Sequence, residues 1–443
     1  MRRGALILLL LAVGAGVAGA AKFGGSAKAS SSKTTKLTIW VGWSARELKE
    51  FKSVVSEYDK AHSDVEVKVR GSINDDQITA AIRSGRAPDV VSSFTSANVG
   101  VYCGTGAWID LGPFLKKDHV DMNQFPKSTL YYTQYKGKRC ALPLLADVYG
   151  LYYNKALFKK AGLKSPPKTF SQLTRYAKKL TQRRADGSLK VVGYDPTWGF
   201  YSGNAGDMSV YMPLIGAKYI DGGGKSILSK DAAWSRLLKW QKSLVDWYGY
   251  KKLVKFNAGA GQEFSANHAF ENGKLAMMLD GEWRVAFIHA EHPKLKYGTA
   301  PGPVDDGHPE LYGAGYINGT IIGIPKGGHN QDQAWKLVKY LTTNTHALAK
   351  FSNGIRNVPS TVASSKSKEL KPDRNFATFL KIFTNPHSAT TPITAVGNAY
   401  GTLITSFTAK WQAGHVGNLK DGLKKLDKNI DAQLAQAKKG GVP

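Results

Sequence analysis

The chain has 443 residues, 42% hydrophobic and 11% aromatic. That suits two buried cores and excludes a disordered or fibrous protein. Its formal charge of +28 raises nucleic acid, an anionic envelope or an anionic ligand. Because the lysines are scattered and no zinc-finger, RNA-recognition or basic heptad pattern accompanies them, no nucleic-acid partner is expected. Residues 1–20 read as a cleavable export signal, with Met1-Arg2-Arg3 charged, Ala5 to Val17 apolar and Ala18-Gly19-Ala20 suited to cleavage. An uncleaved anchor is the alternative. Residues 21–35 lack apolar periodicity and read as a flexible tether.

After the tether, Leu37–Val41 predicts a strand, and Ser44-x-x-Glu47 a capping box opening a helix with Leu48, Phe51, Val54, Val55 and Tyr58 on one face. Val65, Val67 and Val69 alternate as a strand. Asp75 to Ser84 is a helix closed by Gly85, and Asp89 to Phe94 a third strand. Cys103 and Cys140 are the only cysteines; in an exported protein they are expected to pair as a disulfide, two free thiols being the alternative. With no cysteine at the cleavage site, the protein is not expected to be a lipoprotein. Gly150–Asn154 is a strand, and Thr169-x-x-Gln172 caps a helix carrying Leu173, Tyr176, Ala177 and Leu180. Trp234 to Tyr248 is helical, as is Phe264 to Phe270, and Leu275–Leu279 is a buried strand with Gly281-Glu282-Trp283 at its exit. Strand Thr320–Ile324, a helix with Ala334, Trp335, Val338 and Leu341, and a last helix with Leu423, Leu426, Ile430 and Leu434 complete the chain. The alternation predicts an α/β fold of open, mostly parallel sheets flanked by helices.

In order and spacing, "GRAPDVV" (85–91), "GKRCALPLLADVYGLYYNKALFKKAG" (137–162), "PPKTFSQLTRYAKKLT" (166–181), "FENGKLAMMLDGEW" (270–283), "AWKLVKYLTTN" (334–344) and "NGIRNVPS" (353–360) resemble the extracellular solute-binding proteins of ATP-driven importers, carbohydrate class. The resemblance implies a two-lobe periplasmic-binding-protein-like fold joined by three crossings. Here they fall near Leu144–Tyr149, Gly298–Pro303 and Arg356–Ser360, so that lobe one is 36–146 plus 304–357 and lobe two 147–303 plus 358–443. It implies a monomer outside the cytoplasm, a sugar ligand, a membrane permease as partner, and neither catalysis nor cofactor nor metal.

A sugar offers C–H faces to aromatic plates and hydroxyls to carboxylates, amides or arginines. In open α/β sheets the carboxyl ends of strands face the ligand, which selects Trp43 and Trp283. Trp283 also matches the family's sugar-facing Trp. Trp198 lies in a Gly-rich loop. Asp147 lies in the first crossing, where the family places a hydroxyl-binding carboxylate. Asp76, Glu282, Tyr316 and Arg356 complete the expected binding set. Trp234, Trp240, Trp247 and Trp335 sit at core-like helical spacing. His289 and His292 lack further metal-ligand company. A secreted carbohydrate-active hydrolase is the rival reading, with Asp280 and Glu282 as its carboxylates. The basic surface also keeps a phosphorylated or acidic ligand in play.

Overall fold

The computed structural model describes residues 34–198 and 208–439; the expected signal and nearly all of the expected tether lie outside them. Ten strands form the framework: β1 Thr35–Trp40, β2 Val65–Arg70, β3 Val90–Ser93, β4 Leu142–Asn154, β5 Gln182–Arg183, β6 Leu189–Tyr194, β7 Leu275–Gly281, β8 Tyr297–Ala300, β9 Ile317–Gly323 and β10 Val358–Pro359. Their order is β2-β1-β3-β9-β4-β7-β6-β5, with β8 and β10 also on β4.

Strand β4 joins the two lobes. Its 13 residues, "LPLLADVYGLYYN", are almost all buried, as in a strand covered on both faces. Up to Val148 it pairs with β9 and β10; from Tyr149 onward it pairs with β7 and β8. One lobe is built on β1, β2, β3 and β9, the other on β5 to β8. The β1–β2, β1–β3 and β6–β7 pairs are parallel. The pairs of β4 and β9 are antiparallel, so the sheets are more mixed than the strand–helix alternation implies: chain passing between lobes runs against its neighbours.

In the first lobe, helices Ala45–Ala61, Gln331–Thr343 and Thr345–Ile355 bury Phe51, Trp335, Leu348 and Phe351 against β1 and β9. In the second, Phe170–Leu180 and Ala232–Tyr248 cover β6 and β7. The C-terminal helices Ala399–Gln412 and Leu419–Lys439 pack there on a further core with Trp234 and Leu237. Among the described residues no helix is long and apolar enough to cross a membrane.

Three local expectations change. The Ser44 side chain makes no cap hydrogen bond, whereas Asn74 and Gln77 form a full capping box. Residues Phe264 to Phe270 form turns, not a helix. Residues 304 and 305, expected in lobe one, exchange backbone hydrogen bonds with Lys168, Phe170 and Leu214. That stretch packs on lobe two, and the chain returns at Tyr316–Ile317.

Cys103 and Cys140 are disulfide-bonded, with Cα atoms 5.5 Å apart across 37 residues. The bond ties the helix Val99–Thr105 to the start of β4. Closing such a loop restricts the unfolded chain by about 4 kcal/mol on the chain-entropy account. The Cys103→Ala/Cys140→Ala double variant is expected to lose about that much in urea unfolding; a loss under 1 kcal/mol would leave the bond without a stabilising role.

Candidate functional site

The carboxyl ends of β1, β2 and β3 lead into one hollow, and those of β6 and β7 into another. On the first-lobe side, Ser44, Ser72, Asn74, Asp75, Asp76 and Phe94 line a hollow. Asp76 is exposed in the first turn of its helix. Phe94 is 42% exposed and lies over Gly42, where a Cβ would come 2.5 Å from its ring. Trp43, expected as an open plate, is 4% exposed. Phe51, Phe94 and Phe351 enclose its indole at 4.9–5.4 Å. It is core packing that supports Phe94 from beneath, because the helices carrying Phe51 and Phe351 close directly behind the strand exit.

On the second-lobe side, Tyr149, Tyr194, Asp195, Trp198, Tyr211 and Asp280 line a second hollow. Trp198 is half-buried, edge-on to the His268 ring at 5.4 Å. Asp195, just past β6, accepts from the Thr197 N–H at 2.8 Å and hydroxyl at 2.7 Å through Oδ1. Its Oδ2 is buried without a hydrogen-bond partner, and burial raises its pKa.

Behind this wall lies a buried ionic cluster. Arg284 donates from Nε to Asp280 at 2.8 Å and from Nη1 to Glu271 at 3.0 Å, and also pairs with Glu263. Glu263, His268 and Asp280 bring donor atoms within 4.8 Å of one another, the donor types of a metal site; here the Arg284 guanidinium supplies the positive charge. Burial, then Arg284, lowers the His268 pKa to about 2, keeping the ring neutral.

Trp283 folds back over Gly281, where a Cβ would come 2.1 Å from its ring. Its Nε1 lies 3.4 Å from Glu263 Oε1. Its ring stands nearly perpendicular to that of Tyr149, with centroids 5.5 Å apart, and Tyr149 meets Tyr316 at 5.3 Å. With Val210, these rings form a small cluster separate from the three large cores and seated where the chain crosses between lobes.

Two carboxylates tie the crossings together. Glu282, expected to face ligand or water, is fully buried. It accepts from Val148 N–H at 2.6 Å and Val358 N–H at 3.3 Å, one from each of two crossings. Past the end of β7, in the turn that opens the helix Arg284–Glu291, Glu282 turns under the crossings while Trp283 packs back on Gly281 and Tyr149. Asp147 accepts from Asn357 Nδ2 at 2.7 Å. Glu47, which the capping pattern assigned to its own backbone, instead acts on Asp147 by charge. Arg356 turns away: its guanidinium donates to Lys371 C=O at 2.7 Å and lies 5.7 Å over the Phe376 ring. A left-handed backbone (φ 62°) at the end of its helix aims it outward.

Burial, chiefly, raises the Asp147 pKa to about 7. Burial and then Asp147 raise that of Glu282 well above the usual glutamate value. Both folded values exceed the unfolded ones, so the folded state holds the extra protons and this pair disfavours folding increasingly as pH rises from about 4 to about 7. Thermal melts of the ligand-free protein should show that decline, and Asp147→Asn should flatten it. An unchanged slope in the variant would place the titration elsewhere.

The structure thus gathers Asp147, Glu282, Trp283 and Tyr316 at the crossings, Asp76 on one wall and Trp198 on the other. It sets Trp43 beneath and Arg356 outside. Sequence reasoning overlooked Phe94, Tyr149, Asp195 and Glu263. Asp195 was within reach, because Tyr194-Asp195 is a strand exit like Gly281-Glu282-Trp283.

Residues 53–378 match the family of bacterial extracellular solute-binding proteins. The chain is 24% identical over 344 residues to the maltotriose-binding protein of Pyrococcus abyssi, covering 76% of this chain and 69% of that one. It is 25% identical to the maltodextrin-binding protein of Bacillus subtilis over 77% of each. In three dimensions it resembles the mannotriose-bound protein CpMnBP1, with a TM-score of 0.78 and 28% identity over 89% of this chain and 100% of that one. Matched over residues 53–378 and with its two lobes on one shared strand, the chain belongs to the bacterial extracellular solute-binding proteins.

Proposed function

We propose that the protein captures a neutral sugar or oligosaccharide between its lobes and delivers it to an ATP-driven membrane importer, acting as an exported monomer without catalysis. The observation carrying this reading is the Trp283–Tyr149–Tyr316 ring cluster at the crossings, from which Tyr149 reaches the hollow that Asp195 also lines. The rings supply apolar plates and the carboxylate a hydroxyl acceptor. Sugar-bound relatives support it. The lining is acidic (Asp75 and Asp76 on one side, Asp195 on the other), which disfavours a phosphorylated or acidic ligand despite the basic exterior. A hydrolase needs two available carboxylates astride a bond, but Arg284 engages Asp280 and backbone N–H groups engage Glu282. In this reading Asp147, Trp198 and Trp283 touch or frame the ligand, with Asp76 and Tyr316 around it, and residues 1–20 direct export.

The test is a panel of neutral manno- and malto-oligosaccharides and sugar phosphates, followed by thermal shift and by chromatography of the recovered sugar. A neutral sugar is expected to raise the melting temperature and return intact. A shift with sugar phosphates alone would overturn the neutral-ligand reading, and cleavage products would overturn the binding-only reading.

A further inference from the structure

A third hollow, with about 940 Å³ of space open to water, lies at the far end of lobe two. Its rim carries Lys155, Lys159, Lys160, Lys296 and His289 over a floor that includes Leu295 and Tyr297. It is about 16 Å along β4 from Tyr149, at the lobe-two end of that strand. Lys155 N–H donates to Lys296 C=O at 2.9 Å, fixing the two lysine-bearing segments together. The four lysines are exposed, and among the described residues none of them makes an ion pair. The rim's nearby carboxylate, Asp373, lies 3.5 Å from His289.

Local stability accounts for Lys159 and Lys160, which stand in the last turn of their helix where cations suit the dipole, but not for Lys155 or for the gathering of four unpaired lysines around one hollow. Lys155 opens the helix Lys155–Lys160, where a cation opposes the helix dipole. Lys155 and Lys159 are like charges at i,i+4, which destabilise a helix. We infer that the hollow binds a phosphodiester-linked polyanion of the cell envelope. Lysines and a histidine without arginine suit phosphate point charges better than planar carboxylates, which favour a guanidinium fork. A concave groove fits a chain rather than a flat lipid surface.

The probe is labelled poly(glycerol phosphate), titrated into the full chain at several salt concentrations. Binding is expected to fall steeply with salt, as counter-ion release requires. The triple variant Lys155→Glu/Lys159→Glu/Lys296→Glu should weaken it tenfold or more. The equally charged control Lys420→Glu/Lys425→Glu/Lys428→Glu, on the exposed face of the last helix, should weaken it less than threefold. Neutral Lys155→Gln/Lys159→Gln/Lys296→Gln gives the same ordering if the charge-reversed triple does not fold. Absence of binding, equal loss in groove and control variants, or tighter binding to phosphatidylglycerol vesicles than to the polymer would each overturn the proposal.

Discussion

Replacing Glu282 with alanine is expected to destabilise the protein by about 3 kcal/mol. Two buried backbone donors, Val148 N–H and Val358 N–H, would lose their acceptor, and an orphaned buried donor costs about 1–3 kcal/mol. Release from the charge of Asp147 offsets part of that loss. Glu282→Gln keeps one acceptor oxygen, and the shorter bond to Val148 is the one it would retain; its expected loss is about 1 kcal/mol. Urea unfolding of both variants is the measurement. If alanine cost no more than glutamine, the carboxylate would not hold the crossings together. The effect is global because β4 and β10 carry the chain between lobes, so loosening both leaves fewer fixed connections.

The lobes were legible because their signals are local. Val65, Val67 and Val69 alternate and fold as β2; Leu275 to Leu279 reads as buried and folds as β7. The site was legible only to the strand ends. Past them, side-chain direction depends on what packs behind, and neither Phe51 nor Phe351 announces that it will enclose Trp43. Glu282 beside Trp283 looked like part of one surface, yet Glu282 holds backbone donors of two crossings while Trp283 packs on Gly281 and Tyr149. Ser44-x-x-Glu47 satisfied a capping pattern, but Glu47 lies near another buried carboxylate, and tertiary placement won over the local bond. The Arg284 cluster draws on Glu263, Glu271 and Asp280, and no local periodicity links a turn residue to a strand residue 17 positions later.

Trp283→Ala is expected to weaken sugar affinity tenfold or more, a loss of at least about 1.4 kcal/mol in binding free energy. The indole is held before ligand arrives, lying over Gly281, set edge-on by Tyr149 and approached by Glu263 at Nε1. A plate so fixed loses little rotamer freedom on binding, so most of its contact with a sugar face counts toward affinity. Truncating a buried Trp also costs about 3–5 kcal/mol of stability, so binding must be measured by calorimetry well below the variant's melting temperature. Trp283→Phe retains a ring and should lose less affinity than alanine. Trp43→Phe, altered only within the core, should bind nearly as well as the parent. If Trp283→Ala bound its sugar unchanged while Trp198→Ala did not, the plate would lie on the outer wall, and the cluster at the crossings would be structural support alone.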